Sequence, residues 1–232
     1  MVENSSLPRH IAFIMDGNGR WAQARGLPRL EGHRAGMEAI RGLARHLGEL
    51  GISYVTLYAF STENWKRPAD EVKGLFRLMA QSIKKEARLL NKNNVRIRHL
   101  GHIDGLDAKI VSDITEAVEL TRNNTGLNLS VALNYGGRQE ITEVLRRLVA
   151  AGAKAEDINE ELIKAHLYTA ELPDVDLLVR TAGEMRISNF LLWQSAYAEY
   201  YATPVLWPDF NNAEADKALT DFSQRTRRFG GL

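Results

Sequence analysis

The stretch HIAFIMDGNGRW, residues 10–21, passes from a run of apolar residues straight into an acid, two glycines, an asparagine, an arginine and a tryptophan. IAFIM has no polar residue at alternate positions, which reads as a strand buried on both faces, as in a parallel sheet. In such sheets ligands sit beyond the carboxyl ends of strands, where this loop lies. Gly17 and Gly19 permit backbone angles and close approach that a Cβ would forbid. Their N–H groups can then face phosphate oxygens, with Arg20 as a forked cationic donor. Asp16 would repel a bare phosphate. A divalent cation between the two resolves the conflict, and Mg²⁺ is usually held by one or two carboxylates plus substrate phosphates. Taken alone, the loop reads equally well as a glycine-rich surface turn that happens to carry an acid.

Working outward, apolar strand-like runs recur at residues 54–60, 95–101, 128–135 and 176–181, with a shorter edge candidate at 203–207. Between them Met37, Ile40, Leu43, Ala44, Leu47 and Leu50 trace one stripe at helical spacing. Val72, Leu75, Phe76, Met79, Ile83, Ala87 and Leu90 trace another, on a helix starting after Pro68. Further helices are predicted at 106–121, 138–151, 158–168, 189–201 and 213–227. This alternation predicts an α/β fold in which a mostly parallel six-stranded sheet is flanked by helices. The small polar segment AAGAKAEDIN, residues 150–159, is too short to separate domains, so residues 1–232 read as a single domain.

Composition narrows the chemistry. A net charge of +1 argues against a nucleic-acid binder that relies on a broad basic field, so anion recognition must come from locally placed arginines. The absence of cysteine excludes disulfides, thiolate metal sites and a cysteine nucleophile. No apolar run approaches the roughly 20 residues of a membrane helix, and MVENSSLPRH lacks the apolar core of a secretory signal. The expectation is a soluble cytoplasmic protein, free to handle greasy ligands.

Three other strand ends carry the loops FSTENWKRP, NYGGRQE and RTAGEMRIS. In the last, Arg180, Arg186 and Ser188 precede the predicted helix 189–201. With Ser188 as its N-cap, that helix would offer free N–H groups and a positive dipole end to a diphosphate. A capped helix with surface arginines is the plainer reading. Glu199, eleven residues beyond Ser188, is core-paired, solvent-facing or a metal ligand, and its position does not choose. A rival functional reading also exists. GNGRWA, residues 17–22, fits the dinucleotide fingerprint G-x-G-x-x-A of a Rossmann-like oxidoreductase. Against it, a pyrophosphate needs no acid at Asp16, and a ribose-binding acid should end a second strand about 20 residues on, whereas the next strand begins only near Tyr54.

Taken together, HIAFIMDGNGRWA, GHRAG, YAFSTENWKRP, LNYGGR, DLLVRTAGE, RISNFLLWQSAYAE and VLWPDF resemble the cis-prenyltransferase family, in the bacterial undecaprenyl diphosphate synthase branch. They run in the family's order from His10 to Phe210. The resemblance implies a homodimer that condenses isopentenyl diphosphate onto an allylic diphosphate such as farnesyl or geranyl diphosphate, with Mg²⁺ as cofactor. It implies that Asp16 binds the metal, with Glu199 as a second ligand. Gly17, Asn18, Gly19, Arg20 and Arg29 would hold the allylic diphosphate, with Trp21 and His33 beside it. Ser61, Thr62, Glu63, Trp65 and Arg67 match substrate contacts, and Asn64 the proposed proton-accepting position. Arg180, Arg186, Ile187 and Ser188 match the isopentenyl diphosphate site, and Arg228 a tail that reaches a dimer partner. Some relatives carry a metal-binding histidine where this chain has Met185, and a thioether is a poor Mg²⁺ ligand.

Chemical reasoning adds three expectations. An amide is barely basic, so Asp16 or a diphosphate oxygen is the better acceptor for the departing proton. A hydrocarbon product needs an apolar tunnel, which the 72–90 helix and strands 54–60 and 128–135 are placed to wall, although ordinary core packing produces the same stripe. A noncatalytic partner subunit of such an enzyme should have lost the loop acid and arginines, whereas this chain keeps Asp16, Arg20, Arg180 and Arg186. Contact with a membrane would be peripheral, for product release.

Overall fold

The computed structural model describes residues 7–225. The described strands are β1 (His10–Ile14), β2 (Tyr54–Ser61), β3 (Arg96–Leu100), β4 (Asn128–Tyr135), β5 (Leu177–Arg180) and β6 (Glu199–Ala202). They form one six-stranded sheet in the order β3-β4-β2-β1-β5-β6. Every pairing is parallel, so the mostly parallel sheet expected from the alternation is parallel throughout. The helices are α1 (Asn18–Gln23), α2 (Arg29–Glu49), α3 (Ala69–Lys92), α4 (Ala108–Thr121), α5 (Gly137–Ala150), α6 (Glu160–His166) and α7 (Asn212–Ser223).

Alternation along the strands builds two cores. Ile11, Phe13, Val55, Leu57, Leu129, Leu177 and Val179 face one side, against Leu43, Ala44 and Leu47 of α2 and Ala215, Ala218 and Leu219 of α7. Ala12, Ile14, Ala132 and Leu178 face the other, against Leu172, Val175, Phe190 and Leu191. A third cluster, with Phe60, Val72, Leu75 and Leu133, joins α3 to β2 and β4. The long helices start where their sequences set them. α2 follows Pro28 and α3 follows Pro68, and α3 carries Asp70 and Glu71 in its first turn and Lys92 in its last, matching the helix dipole.

Two expectations fail beside the site. Residues 189–201 are turns followed by β6, not a helix. Ser188, Asn189 and Leu191 have φ of 48°, 63° and 45°, left-handed conformations that stop a right-handed helix before it begins. Tertiary contacts hold them there. Phe190 stacks on Tyr58 at 4.3 Å, Asn189 O accepts from Gly137 N at 2.7 Å, and buried Gln194 donates to Thr169 at 2.8 Å. Ser188 is therefore no N-cap. The edge strand lies at Glu199–Ala202 rather than 203–207, where Pro204 and a 3₁₀ turn at Trp207–Asp209 end the extended run.

Candidate active site

β1 lies between β2, reached by a crossover to one side, and β5, reached from β4 by a crossover to the other. This is the topological switch point at which open α/β sheets bind ligands, and the loaded loops meet there. Asp16 leaves β1 pinned by its backbone: its N–H donates to Thr181 Oγ1 at 3.0 Å, and its carbonyl accepts from Thr181 Oγ1 at 2.7 Å and Trp207 N at 3.0 Å. The carboxylate accepts from Gly17 N at 2.7 Å and Arg180 Nη2 at 3.0 Å, and Arg20 Nη2 lies 3.4 Å away. Partial burial pushes the Asp16 carboxyl up. The Arg180 hydrogen bond and charge, the Arg20 charge and the Gly17 N–H outweigh it, so its pKa lies below the usual carboxylate range. Gly17 has φ 102°, and a Cβ there would come within 2.8 Å of Leu206.

Arg180 is almost fully buried and acts as a hub. It donates to Ser188 Oγ at 2.8 Å and to the carbonyl of Arg186, while its Nε is buried without a partner. Arg29 and Arg67 converge on Glu71, at 3.3 Å and 3.2 Å. His33 stands beside them. Burial, then the nearby Arg67 and Arg29 charges, lower its pKa to about 4 against the opposing pull of Glu71, and its Nε2 is buried without a partner. Asn18 Oδ1 is a third orphan. Buried polar atoms are ordinarily paired, and these three belong to residues that line one mouth.

This mouth opens into a cavity of about 850 Å³. Beyond the arginines the walls are largely apolar: Met37 and Ile40 of α2, Leu75, Met79 and Ile83 of α3, and Leu57, Val131 and Leu133 of the sheet. Of the expected site residues, Asp16, Gly17, Asn18, Gly19, Arg20, Arg29, His33, Ser61, Glu63, Asn64, Arg67, Arg180 and Ser188 line it.

Others do not. Trp21 donates to Asp209 at 2.7 Å beneath Arg25, Trp65 donates to Asn134 at 2.8 Å, and Thr62 bonds Glu63 at 3.3 Å. Arg186 pairs with Glu184, and Ile187 packs against the core. Asn64 lines the cavity, but its Oδ1 accepts from Ser61 N at 3.1 Å, closing a capping box. It positions the loop. Glu199 starts β6 level with Leu177 and Ile11, and it pairs with Arg225 at 2.8 Å. Arg228 lies outside the described residues.

The sequence reading missed Asn189 and Glu71. Asn189 lines the cavity, donates to Glu63 Oε1 at 2.7 Å and accepts from Arg138 N at 2.8 Å. Its place in a predicted helix hid it. Glu71 stood in view on α3's first turn, and only the fold reveals the two arginines it gathers.

Among the described residues no group of three or more His, Asp or Glu side chains could hold a metal ion. Asp16 alone still fits the Mg²⁺ pattern of few protein ligands with phosphates and water making up the rest.

An arginine-lined mouth on a long apolar cavity defines a protein built for an amphiphile with an anionic head and a hydrocarbon body. The family model described as "Putative undecaprenyl diphosphate synthase" matches residues 14–230, and the chain belongs to this prenyltransferase family. It is 49% identical over 99% of its length to the isoprenyl transferase of Neisseria gonorrhoeae, covering 92% of that protein. It is 53% identical over 97% of its length to the isoprenyl transferase of Brucella abortus, covering 90%. Among solved structures it resembles lavandulyl diphosphate synthase from Lavandula x intermedia in complex with dimethylallyl diphosphate (TM-score 0.94, 34% identity, 97% and 99% of the two chains). It also resembles a probable undecaprenyl diphosphate synthase from Campylobacter jejuni (TM-score 0.81, 34% identity, 96% and 98%). The dinucleotide reading of residues 17–22 finds no support. The strand order differs from the 3-2-1-4-5-6 of a Rossmann fold, and these relatives are named as isoprenyl transferases or diphosphate synthases.

Proposed function

We propose that this chain elongates an allylic diphosphate with isopentenyl diphosphate to give a cis-polyprenyl diphosphate, undecaprenyl diphosphate being the expected product. One observation carries the reading: cationic side chains ring the mouth of a cavity whose body is largely apolar. In each turn the bond from C1 to the diphosphate oxygen of the allylic substrate breaks, and the alkene of isopentenyl diphosphate bonds to that carbon. A proton then leaves C2. Arg20 and Arg29 receive the charge that builds on the departing allylic diphosphate, Arg180 holds the isopentenyl diphosphate, and Arg67 is a further substrate contact. Asp16, beside these diphosphates, would hold Mg²⁺, which when bound neutralises phosphate charge and favours departure of the leaving group.

Asp16 is a weak base, held ionised between two arginines, and Asn64 Oδ1 is already engaged. Both observations favour a released diphosphate oxygen as the proton acceptor. His33 is neutral at pH 7 and can donate a hydrogen bond without adding a charge. The growing tail would occupy the apolar cavity as its tunnel. A homodimer, a cytoplasmic location and peripheral membrane contact at product release belong to the same proposal. Among the described residues no helix is long and apolar enough to cross a membrane. The test is incubation with labelled isopentenyl diphosphate, farnesyl or geranyl diphosphate and Mg²⁺, followed by product sizing. Label appearing in an extended prenyl diphosphate supports the assignment, and no incorporation with any allylic primer overturns it.

A further inference from the structure

The cavity between α2 and α3 does not end in apolar packing. Arg41 on α2 and Glu86 on α3 meet across the seam in a two-pronged ion pair, with Arg41 Nε donating to Glu86 Oε2 at 2.6 Å and Nη2 to Oε1. Both residues line the cavity. Arg41 lies twelve residues beyond Arg29 along α2, about 18 Å from the mouth. Past it opens a second cavity of about 420 Å³, which shares Arg41 and Leu90 with the first. One wall of this second space is apolar, from Ala44, Leu89, Val95 and Leu127, and its rim carries Arg45, Glu49 and Asn93. Arg41, held by Glu86, therefore borders both spaces.

We infer that the Arg41–Glu86 pair is the stop that sets how far a hydrocarbon tail extends between α2 and α3, and so helps to set product length. This rests on the prenyl-elongation reading above. A methyl or methylene group has nothing to offer a guanidinium or a carboxylate. Pushing past would strip a bidentate, charge-assisted pair of its partner and leave charges against hydrocarbon. Both side chains retain some access to solvent, at 34% and 19% exposure, so the pair keeps its hydration while presenting its inner edge to the cavity. The room behind it, half the volume of the main cavity, is what the partition withholds.

The test compares product lengths from the full-length chain given farnesyl diphosphate, excess labelled isopentenyl diphosphate and Mg²⁺. Replacing the pair with hydrocarbon of similar bulk, R41M/E86L, is expected to lengthen the dominant product by at least one isoprene unit. The charge-swapped R41E/E86R restores a partition and is expected to return the wild-type length. Longer products from the first with wild-type length from the second support the gate. Unchanged length in R41M/E86L, or the same lengthening in both, overturns it. If circular dichroism shows R41M/E86L unfolded, R41L/E86M carries the same expectation of longer product, and unchanged length there is equally fatal. The parent reading fails separately: a wild-type enzyme that incorporates no label removes prenyl elongation, and this inference with it.

Discussion

Asp16 shows how little of a residue's role lies in its identity. Its charge is kept by Arg180 and Arg20 and its backbone is tied on both sides by Thr181, so it is preset before any ligand arrives. Removing only the charge, Asp16→Asn, is expected to lower turnover on the order of 10²–10³-fold at saturating Mg²⁺. Steady-state labelling checks this, and near-normal turnover would remove the carboxylate from the mechanism. His33 supports a prediction about pH. Its pKa falls from 6.5 when unfolded to about 4 when folded, chiefly through burial, so folding favours the neutral ring. That contribution is complete above about pH 6.5 and is lost as pH falls toward 4. His33→Gln should flatten the decline of the urea midpoint between pH 6.5 and 4.5. It should not abolish it, since buried His10 and half-buried His99 are shifted the same way.

At the scale of elements, α1 and α2 pack through missing side chains. A Cβ on Gly32 would lie 1.9 Å from the carbonyl oxygen of Asn18, and one on Gly36 would lie 2.2 Å from Asn18 Oδ1. Gly32→Ala must move backbone, and is expected to destabilise by about 1–3 kcal/mol and to impair activity by displacing Asn18. Gly42, on the same helix, meets only Asn212 Oδ1 at 4.0 Å, so Gly42→Ala should stabilise by about 0.5–1 kcal/mol. Urea denaturation of both variants tests the contrast. The failed helix at residues 189–201 belongs here too. NFLLWQSAYAEYY carries enough apolar residues to suit a helix, yet its side chains satisfy partners on α5, β2 and the 167–175 segment that periodicity does not register.

For the whole molecule, the cavity runs down the sheet from the strand ends at Asp16 and Ser61 to Ile97 and Leu129 near the strand starts. Filling that deep end should shorten what it can hold. Val118→Phe, on the α4 wall, is expected to shift the product distribution toward shorter chains, read by sizing labelled products. A longer or unchanged distribution would place the tail elsewhere. Whether a stripe of apolar residues walls a cavity or fills a core depends on how far apart the helices stand. The Val72–Leu90 stripe was legible as buried in either case, but the space it faces was not.

The linear order of residues settled the alternation of strands and helices, and with it a parallel sheet whose carboxyl-end loops carry Asp16, Arg20, Arg67 and Arg180. Those are local matters, fixed by apolar periodicity and by glycines, prolines and charges at element ends. Only the folded chain decided that Arg180 reaches across 164 positions to Asp16, that Glu199 pairs with Arg225, that Ser188 turns left-handed, and that Arg41 meets Glu86 between α2 and α3. Each of these is a through-space pairing between distant segments. Its free energy comes from desolvation and contact geometry that arise when layers pack, and neither leaves a period or a spacing in the sequence.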